Sequence, residues 1–169
     1  MAIDESRTFK PINIAVLTVS DTRTPETDTS GDILADRVTG AGHNLAARMI
    51  VKDDAKLLAA QFEAWIDDPA IDAVVSTGGT GLTGRDVTPE ALSLIEGARD
   101  IPGFGELFRW LSFKSIGTST IQSRACAGLA RGTYIFCLPG STGAVKDGWD
   151  GILASQMDVR HRPCNFVEL

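Results

Sequence analysis

Two aspartates far apart in the chain have the side chains and the surroundings needed to handle a metal-bound phosphate group. Asp53 lies in the turn Lys52-Asp53-Asp54, and Asp86 follows Arg85 in a glycine-rich segment. Mg²⁺ in proteins commonly takes one or two carboxylates and completes its shell with phosphate oxygens and water. The pair therefore suggests a magnesium site. Either aspartate could instead cap a helix, and Asp53 could do both.

Two loops combine glycine with hydroxyl side chains: Gly78-Gly79-Thr80-Gly81 and Pro139-Gly140-Ser141. Glycine lets a backbone turn freely or approach a ligand closely, and the free N–H groups of such loops can bind phosphate. Thr88-Pro89-Glu90 predicts a helix start with Thr88 as N-cap, whose dipole would favour an anion. Tight packing alone could also explain these glycines, and neither loop is a Walker A motif or a GxGxxG fingerprint.

Each of these groups follows a run of residues that predicts a buried strand. The runs are 13–20, 44–51, 71–75 and 133–138, with 44–51 nearer an edge of the sheet. Ser20 and Asp21 stand at the end of the first run. Ligands of open parallel sheets bind outside the carboxyl ends of the strands, so we expect Ser20, Asp21, Asp53, Asp86 and both glycine loops to line one crevice.

Predicted helices separate the predicted strands, which indicates an α/β fold. We expect helices after an N-cap at Ser30 and over 55–67, 89–96, 106–116, 118–127 and 144–157, with Arg124 on the fifth of them. Strands that are apolar throughout and alternate with helices predict a three-layer α/β/α sandwich around a mostly parallel sheet. We predict a loose arm over 1–11 and a single domain over 12–169.

Composition limits the partners of the chain. A net charge of −6 and a pI near 4.8 argue against binding to a nucleic-acid backbone. We expect no membrane span and no secretion signal, and a cytoplasmic location in which three widely spaced cysteines stay reduced. Cys137 is expected in the core, whereas His43 and His161 are expected at the surface or in the tail.

Three aromatic residues stand close together in the segment predicted as a helix over 106–116. They are Phe108, Trp110 and Phe113. A single helix face rarely needs so many, and two interpretations stay open: a core helix, or a face that packs against another subunit.

Several segments in order resemble the MoaB/MogA family of molybdenum cofactor biosynthesis proteins over nearly the whole chain. They are TVSDTR at 18–23, TSGD at 29–32, TGGTGLTGRDVTPEA at 77–91, GFGELFR at 103–109, SR at 123–124 and LPGS at 138–141. FRWLSFKSIGTSTIQSRA and RPCNF are similar to the MoaB branch in particular. The resemblance implies a molybdopterin-binding domain and assembly into homotrimers or homohexamers, with other proteins of the pathway as partners.

The resemblance also implies an activity: transfer of the adenylyl group of Mg²⁺-ATP to molybdopterin, with release of pyrophosphate. It places the family's two functional acids on Asp53 and Asp86, although VKDD stands here where VPDD or VPDE is usual. Residues 78–81 would contact pterin and nucleotide, and residues 139–141 would lie near the molybdopterin phosphate. Two alternatives remain: a non-catalytic molybdopterin-binding or carrier protein, and an unrelated nucleotide-binding module that shares only the loop geometry.

Overall fold

The computed structural model describes residues 3–168, which fold around one six-stranded sheet. The strands are β1 (Asn13–Val19), β2 (Asn44–Val51), β3 (Ala73–Thr77), β4 (Arg99–Asp100), β5 (Cys126–Ala130) and β6 (Thr133–Leu138). Their order is β2-β1-β3-β6-β5-β4. β2, β1, β3 and β6 are parallel, whereas β5 and β4 are antiparallel to their neighbours, so the mostly parallel sheet is confirmed, as is the edge position of β2.

Helices cover both faces of this sheet. They are α1 (Thr29–Gly40), α2 (Ala55–Ile66), α3 (Thr88–Ser93), α4 (Pro102–Ile116), α5 (Thr142–Gly148) and α6 (Ala154–Gln156), with a 3₁₀ helix over Gly117–Gln122 and a π-helical turn over Trp149–Leu153. Side chains alternate across each strand, so Ile14 and Val16 of β1 pack with α1, α4 and α5, while Leu17 packs with α2 and α3. The two apolar clusters confirm the three-layer sandwich. No helix of residues 3–168 has the length and apolar character to cross a membrane.

The predicted helix over 118–127 is wrong. α4 ends at Gly117, which has a φ of +60°, and one short 3₁₀ helix follows before the chain extends into β5. β5 pairs antiparallel with β6 through a full register from Cys126 to Ala130. The small residues of 125–130 do not exclude a helix, but pairing with a buried neighbour strand decides the conformation. Arg124 therefore lies just before a strand and not on a helix.

Helix starts differ from their predictions at several positions. The N-cap of α1 is Asp28 and not Ser30, because the buried Asp28 carboxylate accepts the Gly31 N–H at 2.9 Å. α4 begins at Pro102, four residues before the predicted start, with proline in its first turn. The predicted final helix is divided into α5, the π-helical turn and α6.

Both histidines are buried, which corrects the expectation of a surface position, although His161 does lie in the tail after the last helix, as expected. His43 is 5% exposed and His161 is 3% exposed. The His43 Nδ1 accepts the Ile12 N–H at 3.3 Å, and its ring packs against Phe9. The arm is not loose over its described residues, because Ile3 forms a β-bridge with His161. Residues 1, 2 and 169 of the predicted arm and domain lie outside the described residues.

Candidate functional site

The carboxyl ends of β2, β1, β3 and β6 lie side by side, and the predicted site residues follow these strands. Backbone hydrogen bonds hold the ends together: the Ser20 N–H donates to the Val51 carbonyl and the Gly78 N–H donates to the Leu138 carbonyl, both at 2.9 Å. A Cβ on Gly140 would lie 3.2 Å from the Gly78 Cα. The two glycine loops are therefore in contact, as the crevice prediction required.

The first glycine loop leaves no room for side chains at two of its positions. Gly78 has a φ of +110°, and a Cβ there would lie 2.3 Å from the Val19 carbonyl oxygen. Gly79 has a φ of +65°, and its Cβ would lie 2.4 Å from the Thr88 Oγ1. The Thr88 hydroxyl donates to the Gly78 carbonyl at 2.9 Å, so it holds the loop and does not cap α3 as predicted. Both glycines are required by the close approach of the loop to β1 and α3.

Neither candidate acid is a helix cap. α2 is capped by Asp54, whose carboxylate accepts the N–H groups of Lys56 and Leu57 at 2.9 and 3.0 Å. α3 has no side-chain cap. The carboxylates of Asp53 and Asp86 therefore cap no helix, and the helix-cap alternative that the sequence left open is excluded for both.

Asp86 is held against the glycine loop by its own turn. Its carboxylate accepts the backbone N–H of Thr83 at 2.9 Å and the Thr83 hydroxyl at 2.7 Å, and it lies 2.8 Å from the place of a Cβ on Gly81. Partial burial acts to raise the pKa of Asp86, but hydrogen bonds from Thr83 and Gly81 and the positive charge of Arg124 lower it below its ordinary value. Asp86 is therefore a fixed, ionised carboxylate at neutral pH.

Asp53 lies beside another glycine of the same loop. Its Oδ1 is 3.4 Å from the place of a Cβ on Gly79, and its backbone N–H donates to the Asp21 carboxylate at 3.3 Å. Burial first, then the nearby Asp21 carboxylate and more weakly that of Asp86, raise the pKa of Asp53. Arg85 pairs with Asp21 and offsets part of this repulsion. The carboxylates repel one another, and a bound cation would relieve that repulsion.

These two acids suit a metal ion that takes its other ligands from a substrate and water, and not one that protein side chains hold alone. Within residues 3–168, no group of three or more His, Cys, Asp or Glu side chains is close enough to hold a metal ion. Asp53 lies beside Gly79 and Asp86 beside Gly81 of one loop, and the charge of Asp86 acts on Asp53. Mg²⁺ takes most of its remaining ligands from water and phosphate. The residues present therefore fit a Mg²⁺ ion that arrives with a phosphorylated ligand.

A cavity of about 360 Å³ opens on one side of the glycine loop. It is lined by predicted site residues, Thr80, Gly81, Pro139 and Ser141, and by hydroxyl side chains that the sequence did not single out, Ser112, Ser115, Thr120 and Ser123. Thr80 is 2% exposed, and its buried hydroxyl has no hydrogen-bond partner in the described part of the chain. Buried hydroxyls normally have partners, so Thr80 leaves an unmet polar group in the wall of this cavity.

A second, more open cavity of about 440 Å³ lies beside the loop after β1. Its lining includes Ser20, Asp21, Arg23 and Lys52. Asp53 follows Lys52 in the chain, so this cavity lies near the turn that carries Asp53. The carboxyl-terminal edge of the sheet thus has two cavities.

Comparison with known proteins agrees with the geometry. A family model described as "Probable molybdopterin binding domain" matches residues 15–158, which include all four strand ends and both acids. The chain belongs to this family. Among its members, the molybdenum cofactor biosynthesis protein B of Escherichia coli K12 is 51% identical over 161 residues, covering 95% of this chain and 94% of the relative.

Other members of the family show the same agreement in sequence and in fold. Molybdenum cofactor biosynthesis protein B of Bacillus subtilis 168 is 45% identical and covers 86% of this chain and 87% of its own. A crystal structure of a molybdenum cofactor biosynthesis protein B superimposes with a TM-score of 0.85 at 39% identity, over 89% of this chain and 94% of that one. The resemblance to the MoaB/MogA family is thereby confirmed.

Arg124 is the residue of this site that sequence reasoning missed. Its Nε donates to the Gly81 carbonyl at 2.7 Å, its Nη2 to the Asp86 carbonyl at 2.6 Å, and its backbone N–H to the Thr80 carbonyl at 2.8 Å. Its guanidinium also pairs with Glu90. The SR pair at 123–124 was a usable signal, but the predicted helix placed Arg124 away from the loop.

Proposed function

We propose that this protein transfers the adenylyl group of Mg²⁺-ATP to molybdopterin, forming adenylylated molybdopterin and pyrophosphate. The observation that carries the proposal is the placement of two carboxylates at one glycine loop, Asp53 beside Gly79 and Asp86 beside Gly81, at a sheet edge that also has two cavities. Molybdopterin is proposed as one substrate because the matched family model describes a probable molybdopterin-binding domain. A two-substrate phosphoryl-type transfer needs this arrangement of two binding spaces and one charged centre.

The cavity lined by Thr80 and Ser141 is proposed to bind molybdopterin. The serine and threonine hydroxyls of its lining can hydrogen-bond the polar groups of a pterin, and the apolar side chains of Phe108 and Ile116 can contact its ring. The cavity beside Arg23 and Lys52 is proposed to bind the ATP side of the reaction, since its two cations can approach phosphate oxygens. Both ligands would meet at the glycine loop.

In the proposed reaction, a phosphate oxygen of molybdopterin attacks the α-phosphorus of ATP. The new P–O bond forms as the bond to the β-phosphate breaks, and pyrophosphate leaves with that bonding pair. Mg²⁺ held by Asp53 and Asp86 would neutralise charge on the phosphates. The chain itself positions the reactants: backbone N–H groups of residues 79–81 and 140–141 orient the phosphates, and Arg124 keeps the first loop in shape.

A non-catalytic molybdopterin-binding or carrier protein is the second candidate. One observation favours it: the cavity lined by Thr80 and Gly81 is bordered by neither Asp53 nor Asp86. A pterin bound in that cavity would therefore not need to contact the acids. The two candidates differ only in whether the bound molybdopterin is adenylylated.

A turnover assay with purified protein, molybdopterin, ATP and Mg²⁺ separates the two candidates. We expect adenylylated molybdopterin and pyrophosphate, and we expect Asp86→Asn to lower kcat at least about 100-fold while pterin affinity stays nearly unchanged, because asparagine keeps the turn but removes the charge. Asp54→Asn, a change in an exposed helix cap, is the matched control and should retain activity. If the wild-type protein forms no product, the adenylyl-transfer proposal fails and the non-catalytic carrier remains. If Asp86→Asn loses binding and turnover equally, Asp86 has a structural role.

We also propose that the protein assembles with itself, as a homotrimer or homohexamer. α4 and the adjoining 3₁₀ helix expose a group of large apolar side chains, here called the α4 patch: Leu107, Trp110, Phe113, Ile116 and Ile121. Phe108, which the sequence grouped with Trp110 and Phe113, is 1% exposed and belongs to the core. Phe108 is therefore a core residue, and we propose that the exposed Trp110 and Phe113 contact another subunit. Exposed apolar groups of this kind are typical of subunit contacts.

A further inference from the structure

Cys126 and Cys137 face one another across two antiparallel strands. The register of β5 and β6 pairs them directly. Residues opposite each other in an antiparallel pair have Cα atoms about 4.5 to 5.5 Å apart, which falls within the range of about 4.4 to 6.8 Å that a disulfide spans. Both side chains pack on the same side of the sheet, in the cluster between the sheet and α2 and α3. The two thiols are free and adjacent.

The two thiols differ in access. Cys137 is 0% exposed in the middle of the sheet. Cys126 is half-buried and lines a cavity of about 300 Å³, together with Asp100, Glu106 and Arg109. This cavity is separate from the two cavities of the candidate site and lies near the β5–β4 side of the sheet. A small polar molecule can therefore reach one thiol of the pair and not the other.

Their acidities differ in the same sense. A hydrogen bond with the Cys137 thiol lowers the pKa of Cys126, although burial acts in the opposite direction. The pKa of Cys137 is raised by its contact with Cys126 and by its complete burial. The thiolate is the reactive form of cysteine. Cys126 is thus placed to react first, with Cys137 next to it to complete the reaction.

We propose that Cys126 and Cys137 are an oxidation site, which a small hydroperoxide entering the Cys126 cavity converts into a reversible intramolecular disulfide. The Cys126 thiolate attacks one peroxide oxygen, the O–O bond breaks, and a sulfenic acid forms while the departing hydroxide takes up a proton. The Cys137 sulfur then attacks the sulfenic sulfur, the S–O bond breaks, and water leaves with the Cys137 proton. Two thiols are oxidised to a disulfide and one hydrogen peroxide is reduced to two waters.

The two cysteines lie on the strands that lead to the candidate functional site. Arg124, which fixes the first glycine loop, is two residues before Cys126, and Pro139 of the second loop is two residues after Cys137. A disulfide at this point would join the two strands that carry these loop residues. The thiol chemistry itself does not depend on adenylyl transfer, so its test stands apart from the turnover assay.

Hydrogen peroxide added to the reduced full-length protein tests the proposal. We expect the mass to fall by two hydrogen atoms, unreduced peptide mapping to show Cys126 linked to Cys137, and dithiothreitol to restore both thiols. Cys164→Ser, which removes the exposed third thiol, should behave the same. Cys137→Ala should leave Cys126 as a sulfenic acid that dimedone captures, and Cys126→Ala should leave Cys137 unreacted.

The mapping of the wild-type protein decides the outcome even if a variant fails to fold. The proposal is overturned if Cys126 and Cys137 still react with a maleimide after peroxide treatment and denaturation. It is equally overturned if peroxide yields only dimers linked through Cys164, or if Cys126 proceeds to a sulfinic acid without forming the bond to Cys137.

Discussion

A single guanidinium group holds the conformation of the first glycine loop. Arg124 contacts backbone carbonyls at both ends of the segment 81–86, and its own N–H contacts Thr80. Hydrogen bonds from a charged donor to buried carbonyls are stronger than neutral ones. Arg124 touches no residue that would react, so its role is to position Asp86 and the loop N–H groups.

Replacing Arg124 with lysine should therefore impair turnover more than binding. The compact ammonium group of Arg124→Lys cannot reach both carbonyls at once. We expect kcat to fall about 10- to 100-fold, since small displacements at a reacting centre cost rates of this order, with a smaller change in KM for ATP. Arg37→Lys, at the surface ion pair with Asp150, is the matched control. Unchanged kcat, together with unchanged amide exchange over residues 78–86, would show that the loop holds its shape without Arg124.

The predicted site residues do meet at one edge, because parallel strands bring their carboxyl ends together whatever the details of the loops. Asp53, Asp86 and the glycines could thus be found from strand assignments and residue types alone. The hydroxyls of Ser112 and Ser115 could not. They enter the site only through the packing of α4 across the sheet, and no local pattern marks a serine on a helix as a cavity residue.

The start of α1 is the element that depends most on a buried charge. Asp28 is 0% exposed, caps α1, accepts the Thr18 hydroxyl at 2.7 Å, and pairs with Arg48 of β2 at 2.9 Å. Burial acts to raise the pKa of Asp28, but the hydrogen bonds from Arg48, Thr18 and Gly31 lower it below the ordinary value. The ionised carboxylate joins α1, β1 and β2.

Asp28→Asn should lower the free energy of unfolding by about 1 to 3 kcal/mol at pH 7, the cost of weakening a buried charged hydrogen bond. Because the folded pKa lies below the unfolded one, this stabilisation is complete above the unfolded value of about 3.9 and is lost as the pH falls through the folded pKa. Urea unfolding should therefore show a difference between wild type and variant that shrinks below about pH 4. Asp32→Asn, which removes an exposed partner of the same Arg48, should cost less than about 1 kcal/mol. A difference that persists unchanged at low pH would contradict the assignment.

β5 shows why the elements after α4 were the hardest to predict. Residues 125–130 contain three alanines and no β-branched residue, so local propensity permits a helix. The strand forms because β6 offers an unpaired edge. The parallel strands were easier, since runs such as 14–17 and 73–75 are apolar throughout, which is typical of strands buried on both faces. The same distinction explains the histidines, which are buried by contacts with the arm and tail that no local pattern reveals.

At the scale of the whole molecule, the α4 patch is the feature that bears on assembly. Phe113 is 55% exposed, and the patch adjoins the hydroxyl-lined cavity, because Ile116 belongs to both. We expect light scattering at micromolar concentration to give the mass of a trimer or hexamer, and Phe113→Glu to shift it to the monomer by placing a charge in an apolar contact. Leu57→Glu, at a 54% exposed position on α2, should leave the mass unchanged. A monomeric wild-type protein would refute the assembly.

The bond between Arg124 and the glycine loop has a consequence for how the protein is made. The Nε of Arg124 reaches Gly81 across 43 positions of sequence. A growing chain that has been synthesised as far as α4 already contains both acids and the whole first loop, but it lacks the guanidinium that fixes them. Contacts of such long range form only when the distant segments dock. The binding site is therefore complete only when the segment that carries Arg124 has docked on the loop, and no partly synthesised chain that ends before Arg124 carries it in its finished form.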